Sequence, residues 1–289
     1  MHQFQEIEPF RAQIHKARVS QQSVGFIPTM GALHEGHLTL VRRSLAENDL
    51  TCVSIFINPT QFNDIRDFER YPRTIDRDLE LLQSEGVDVV FIPNPREMYP
   101  DGFDTVVVVR ALSDRLEGAS RPSHFQGVST VVTKLLNVAQ SDRAYFGQKD
   151  WQQLQIIKRL ATDLNIPTEI VGVETVREPD GLAMSSRNTL LTPEYRKAAS
   201  VLSSALSDVA LIAGTGVHDA YELAAWLHQT IAVQPLAKVD YAVVVDAETL
   251  QEIDTIERGA IAAVAANFGN VRLIDNRYIG APTGPVVRR

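Results

Sequence analysis

Two hydrophobic periods organise the chain up to about residue 175. Short apolar runs recur at "VGFIP" (24–28), "CVSIFI" (52–57), "DVVFIP" (88–93), "AYFG" (144–147) and "TEIVGV" (168–173). Between them apolar residues return at three- and four-residue spacing: Leu38, Val41 and Leu45, then Leu79 and Leu82, then Val131, Leu135 and Val138. Fully apolar strands alternating with one-sided helices are the pattern of parallel βα units, whose sheet is covered on both faces. The pattern predicts a doubly wound parallel sheet. Ligands of such sheets sit beyond the carboxyl ends of the strands, so the loops after Pro28, Ile57, Pro93 and Gly147 are expected to share one cleft.

After "REPDGLAMSSRNTLLTP" the pattern changes. Ala198, Val201, Leu202, Ala205, Leu206 and Val209 mark a long helix, and a second helical pattern runs from Asp219 to Ile231. Strand-like "KVDYAVVVD", "AIAAVAANF" and "NVRLID" follow without the βα spacing. The expected fold class is therefore α/β: a Rossmann-like doubly wound sheet over residues 1–175, with a second, smaller α+β domain over 176–289 that covers the active site. No internal repeat is present, and the tail "GAPTGPVVRR" is expected to fray.

Composition narrows the partners. At 289 residues, 44% hydrophobic and 22% charged, the chain is of ordinary globular make-up. A formal charge of -8, with basic residues scattered, leaves no electrostatic footprint for nucleic acid. The single cysteine, Cys52, lies in an apolar run and cannot form an intramolecular disulfide. The first twenty residues lack a basic-then-apolar leader, and no apolar run is seen to approach the ~18 residues of a membrane span. A cytoplasmic protein without membrane or nucleic-acid partners is expected.

The candidate chemistry begins at "PTMGALHEGHLTLV". Gly31 and Gly36 have the spacing of a P-loop, but His37 and Leu38 stand where that loop needs Lys and a hydroxyl. His34 and His37 fall at a strand-to-helix junction, where helix amides and dipole favour an anion. The pair can hold a phosphate oxygen, contribute to a zinc site, be ordinary core histidines, or cap the turn; zinc needs further ligands, and phosphate is the preferred reading. "AYFGQKDWQQL" sets Gly147, Gln148, Lys149 and Asp150 at a strand end, ahead of Gln153, with Lys149 as the cation the first loop lacks. "MSSRN" offers Ser185, Ser186 and Arg187 as a grip for a polyphosphate tail, though such residues also fill plain loops. Asn58 and Gln61 of "FINPTQF" can hydrogen-bond a small polar substrate or simply shape a Pro-bearing turn. Asp76 and Asp78 can bind magnesium or begin a helix, the second being favoured. Neither a Ser-His-Asp or Cys-His nucleophile set nor a GxGxxG after the first strand is present.

Taken together, "PTMGALHEGHLTLV", "FINPTQF", "YPRT", "EGVDVVFIPNPREMYP", "RPSHFQGVSTVVTKLLN", "AYFGQKDWQQL", "REPDGLAMSSRN" and "RLIDN" resemble, in order, the motifs of the pantothenate synthetase (pantoate–β-alanine ligase) family. "HEGH" also resembles the HxGH signature of a wider nucleotidyltransferase superfamily. The resemblance implies an ATP-dependent ligation in two steps, with pantoyl adenylate and pyrophosphate formed first and AMP released when β-alanine attacks. It implies nucleotide contacts at Met30, Gly31, Ala32, Leu33, His34, Glu35, Gly36, His37, Gly147, Gln148, Lys149, Asp150, Val176, Met184, Ser185, Ser186 and Arg187. It further implies Gln61 and Gln153 on pantoate, Mg2+ with Asp78 as its ligand, and a homodimer joined through helices of the first domain. His34, His37, Lys149 and Arg187 are the catalytic candidates. The competing enzyme reading is an adenylyltransferase acting on a phosphorylated small molecule, against which the neutral Gln61 and Gln153 argue. A nucleotide-binding regulatory module is the non-enzymatic one.

Overall fold

The computed structural model describes residues 1–280; residues 281–289, most of the tail expected to fray, lie outside the described residues. Two compact units are present. One holds Met1–Gln148 and Gln152–Glu174, the other Lys149–Trp151 and the chain from Thr175 onward.

In the first unit, β1 (His2–Phe4), β2 (Val24–Thr29), β3 (Leu50–Ile55), β4 (Val89–Phe91), β5 (Arg143–Gly147) and β6 (Glu169–Val173) form one parallel sheet in the order β1-β4-β3-β2-β5-β6. The helices are α1 (Ile7–Val19), α2 (Glu35–Glu47), α3 (Ile75–Glu85), α4 (His124–Ala139) and α5 (Trp151–Asp163), with shorter turns between. Ile27, Val53 and Val90 from three adjacent strands pack with Val41 of α2 and Leu82 of α3 in one core. β1 is the element that periodicity does not reveal. Its three residues carry no apolar run, and only their parallel pairing with Val89–Phe91 makes them a strand.

The strand order positions the chemistry. β2 lies between β3 and β5, and the sheet grows one way through β3, β4 and β1 and the other through β5 and β6. A doubly wound sheet opens a crevice where its winding reverses, at the carboxyl ends of the two central strands. Met30 follows β2, and Gly147 ends β5.

The second unit contains α6 (Val201–Gly214), α7 (Ala220–Ala232) and an antiparallel sheet of β7 (Lys238–Asp246), β8 (Ala260–Phe268) and β9 (Val271–Ile279). Leu202, Leu206 and Val209 of α6 and Leu223 and Leu227 of α7 pack with Val264 and Phe268 of β8. Pro193–Gly214, read as one helical run, is long and apolar enough by length and composition to cross a membrane, contrary to what the apolar runs suggest by eye. Its Leu202, Ala205, Leu206 and Val209 are core residues of this unit, which accounts for the composition.

Candidate active site

The loop between β2 and α2 is built around its two histidines. His34 is the N-cap of α2, and its Nδ1 accepts from the Gly36 amide at 3.2 Å. His37 Nδ1 in turn accepts from the His34 amide at 3.3 Å, completing a capping box made of imidazoles rather than hydroxyl and carboxylate. Both Nδ1 atoms act as acceptors, so the neutral rings carry their protons on Nε2. Each imidazole is thus fixed in one tautomer, with an N–H donor at the far edge and the ring centroids 4.1 Å apart. Glu35 is turned to Arg42, whose guanidinium also pairs with Glu85 at 2.6 Å, so this one carboxylate of the loop is directed to a cation that it shares.

Backbone geometry explains the residues ahead of the histidines. Gly31 and Ala32 both have positive φ, 78° and 52°. A Cβ on Gly31 would also lie 3.0 Å from an Asp78 oxygen, so conformation and close approach both favour glycine. Asp78, buried at 1% exposure on α3, receives the loop: its carboxylate accepts from the amides of Ala32 at 2.9 Å and Leu33 at 2.8 Å, and from the Thr74 hydroxyl at 3.2 Å. The carboxylate thus already serves the loop that the magnesium expectation left out of account. Among the described residues no group of three or more His, Cys, Asp or Glu side chains could hold a metal. Asp78 is the clamp of the histidine loop.

Asn58 and Gln61 follow β3, and the structure separates their roles. Asn58 is 1% exposed and its hydrogen bonds go to protein. Its oxygen accepts from the Thr60 amide at 3.3 Å and the Tyr99 hydroxyl at 2.8 Å, and its nitrogen donates to the Gly127 carbonyl at 3.1 Å. Backbone partners on both sides fix which end is oxygen. The same nitrogen donates to Gln61 Oε1 at 3.1 Å, so Gln61 must turn its NH2 the other way, toward Met30 Sδ at 2.9 Å. Burial pushes the Tyr99 phenol above its ordinary value. His124 Nδ1 lies 2.8 Å from the Gln61 carbonyl. The turn also rests directly on α4, where a Cβ on Gly127 would come within 2.4 Å of the Thr60 carbonyl oxygen. Asn58 therefore orients Gln61, whereas the residue types alone left both as substrate amides or as parts of a Pro-bearing turn.

The neighbouring glutamines of α5 differ in the same way. Gln152 is buried, accepting from the Glu117 amide at 3.0 Å and donating to the Leu112 and Arg115 carbonyls at 2.8 and 2.7 Å. Gln153 is half-buried, and among the described residues its side chain makes no hydrogen bond. Gly147, at the end of β5, has open space where a Cβ would stand, with Gln148 next in the chain.

In the second unit Lys149 and Asp150 lie in a 3-10 turn, with Lys149 Nζ 3.8 Å from the Asp150 carboxylate. The Lys149 carbonyl accepts from Asn276 Nδ2 at 2.7 Å, and the adjacent Asp275, with a side chain 1% exposed, pairs in two-pronged fashion with Arg177 at 2.7 and 3.0 Å. Arg177 opens a small hairpin closed by the Met184 amide to Val176 carbonyl bond at 3.0 Å and by the Arg177–Ala183 bridge. Beyond it Ser185 caps a 3-10 turn, Ser186–Leu190, by accepting from the Arg187 amide, and Asn188 ties that turn back to Glu178 at 2.7 Å. "RLIDN" thus supplies the residues that hold the Lys149 carbonyl and Arg177 of the hairpin, a role that no spacing in the sequence discloses.

The fold and the imidazole-capped helix define the class: a doubly wound α/β protein that presents paired histidine donors at the reversal point of its sheet. Residues 2–278 match the family described as pantoate-beta-alanine ligase. The chain belongs to that family of ligases. A pantothenate synthetase of Chloroflexus aggregans is 52% identical over 266 residues, 92% of this chain and 96% of its own. The crystal structure of a pantothenate synthetase from Thermus thermophilus superposes with a TM-score of 0.92 at 45% identity, covering 98% of this chain and 100% of that one. The Francisella tularensis pantoate-beta-alanine ligase, determined with a form of ATP and with β-alanine, gives 0.78 at 36% identity over 96% of this chain and 97% of its own.

Proposed function

We propose that this protein condenses pantoate with β-alanine at the expense of ATP, through a pantoyl-adenylate intermediate. The observation that carries the reading is the pair of tautomer-fixed Nε2–H donors of His34 and His37 at the N-terminus of α2, in a chain matching ligases over almost its whole length. A carboxylate is a poor acylating agent at neutral pH. Its oxygen attacks the α-phosphorus and pyrophosphate leaves; the β-alanine amine then attacks the acyl carbon, AMP leaves with that oxygen, and the amine sheds a proton. Preorganised donors act where phosphate charge grows, and this is the role of His34 and His37. Lys149, Ser185, Ser186 and Arg187 hold the polyphosphate, Met30–His37, Gly147–Asp150, Val176 and Met184 complete the nucleotide contacts, and Gln61 and Gln153 bind pantoate. Mg2+ enters with the nucleotide as its counter-ion, without a protein ligand assigned. The working form is a cytoplasmic homodimer.

Labelling tests the reaction. With ¹⁸O in the pantoate carboxylate, AMP should carry the label and inorganic phosphate none. Pyrophosphate should form with pantoate and ATP alone, and AMP should be released only when β-alanine is added. Label in phosphate, or ADP as the product, would overturn the adenylate and with it the roles of both histidines. An adenylyltransferase would instead keep AMP covalently in its product.

A further inference from the structure

Residues 121–127, "RPSHFQG", meet the Gln61 turn at the start of α4. A tight turn brings Arg121 and His124 together: the His124 amide donates to the Arg121 carbonyl at 3.1 Å, and Ser123 takes a left-handed φ of 67°. A residue other than glycine enters that region at a cost and stays there when surrounding contacts over-determine it. The turn delivers His124, 8% exposed, with its ring against the Gln61 carbonyl. Both bonds of the ring demand one protonation state. A carbonyl oxygen only accepts, so Nδ1, 2.8 Å from it, carries a proton. A guanidinium only donates, so Nε2, 3.3 Å from Arg121 Nη1, presents its lone pair. His124 is therefore the neutral Nδ1–H tautomer, the opposite of His34 and His37, whose Nδ1 atoms accept. Arg121 Nη2 lies 3.5 Å from the same carbonyl, so the two side chains converge on one peptide oxygen.

Gln61 is thereby held at both ends. Asn58 takes its side-chain oxygen at 3.1 Å, and His124 takes its main-chain carbonyl. A glutamine side chain has several rotatable bonds, so an anchor at the far oxygen alone leaves the chain between free to change rotamer. An anchor on the peptide as well fixes the line along which the NH2 points. Gly127 presses from the third side, where a Cβ would lie 2.7 Å from Gln61 Cα. One hydrogen of the NH2 faces Met30 Sδ at 2.9 Å, and the group has a second to give. A donor already aimed loses less freedom when its ligand arrives, and affinity rises accordingly. We infer that His124, held by Arg121 as the Nδ1–H tautomer, is a positioning residue for Gln61 and thereby sets the affinity for pantoate. The inference rests on the assignment of Gln61 to pantoate stated above.

Two near-isosteres of histidine test it. Asparagine sets its Nδ2 where the imidazole Nδ1 stands and keeps a donor for the Gln61 carbonyl; glutamine sets its Nε2 where the imidazole Nε2 stands and loses that donor. His124→Gln should weaken pantoate by roughly three- to tenfold in titration calorimetry, about the worth of one hydrogen bond, with ATP binding unchanged as the sign of a folded protein. His124→Asn should bind pantoate as the wild type does. In steady state His124→Gln should raise KM for pantoate and leave kcat, because an aligned donor serves ground state and transition state alike. The ¹⁵N-histidine spectrum of the wild-type protein gives a reading that no variant's folding can obscure, and His124 should appear there as neutral Nδ1–H. An Nε2–H ring at His124, or equal pantoate affinity in the asparagine and glutamine variants, would overturn the inference. Gln61→Ala separates it from the assignment beneath. If that variant binds pantoate unchanged, the assignment of Gln61 falls and the inference with it; if it binds pantoate weakly while His124→Gln does not, the inference alone falls.

Discussion

Replacing Asp78 by asparagine separates the clamp from a metal ligand. The carboxylate accepts from two loop amides at 2.9 and 2.8 Å from a position 1% exposed. Asparagine keeps one acceptor oxygen and turns an NH2 toward the other amide, so one bond is lost and donor faces donor. A hydrogen bond to a charged group contributes about 1.5–3 kcal/mol, so Asp78→Asn should destabilise the first unit by roughly 2–3 kcal/mol. For a unit of this size that corresponds to about 4–12 °C in melting temperature. The loop also carries His34 and His37, and misplacing catalytic groups by about 1 Å can lower a rate on the order of 10²-fold. Calorimetry without nucleotide, paired with single-turnover pyrophosphate release across a magnesium titration, reads both effects. The clamp requires a lower melting temperature in the absence of any ligand and a slower first step at every magnesium concentration. An unchanged melting temperature with a raised magnesium requirement would refute it and return Asp78 to the metal.

Other substitutions address the remaining groups. His37→Ala and Lys149→Ala should each slow adenylation by roughly 10²- to 10³-fold, the usual loss when one charge-stabilising donor is removed; an unchanged pre-steady-state burst in either would remove that residue from the mechanism. Tyr99→Phe deletes the 2.8 Å bond to Asn58 and frees the amide that orients Gln61, so titration calorimetry should show pantoate weakened by about 0.5–1.5 kcal/mol and ATP unaffected. Gln153→Ala should likewise weaken pantoate far more than ATP, and equal weakening would mean that it shapes the whole cleft. Arg177→Ala strands the buried Asp275 carboxylate, and breaking such a pair from one side typically costs about 3–5 kcal/mol; a thermal shift under about 2 °C, well below what that loss implies, would show that water or a neighbour takes the guanidinium's place.

The amino-acid sequence by itself determined the strands that carry their own signal. β2, β3 and β5 are runs of mostly buried apolar residues, and such runs identify themselves wherever both faces of a sheet are covered. β1 could not be read, because a three-residue edge strand exists only through the hydrogen bonds of β4. The same division runs through the site. "HEGH" at a strand-to-helix junction announced two imidazoles at a helix N-terminus, since helix start and residue type are both local. Which nitrogen of each ring carries the proton was decided by the fold, which supplies the amides of Gly36 and His34 as caps. Asn58 and Gln61 are equivalent as residue types, as are Gln152 and Gln153. Only tertiary packing ties Asn58 to Gly127, 69 residues away, and Gln152 to the carbonyls of Leu112 and Arg115. Asp78 shows the limit most plainly. A carboxylate in a helical pattern looks the same whether it awaits a cation or an amide, and the amides of Ala32 and Leu33 reach it from 46 and 45 residues earlier in the chain because β2 and α3 pack on one sheet.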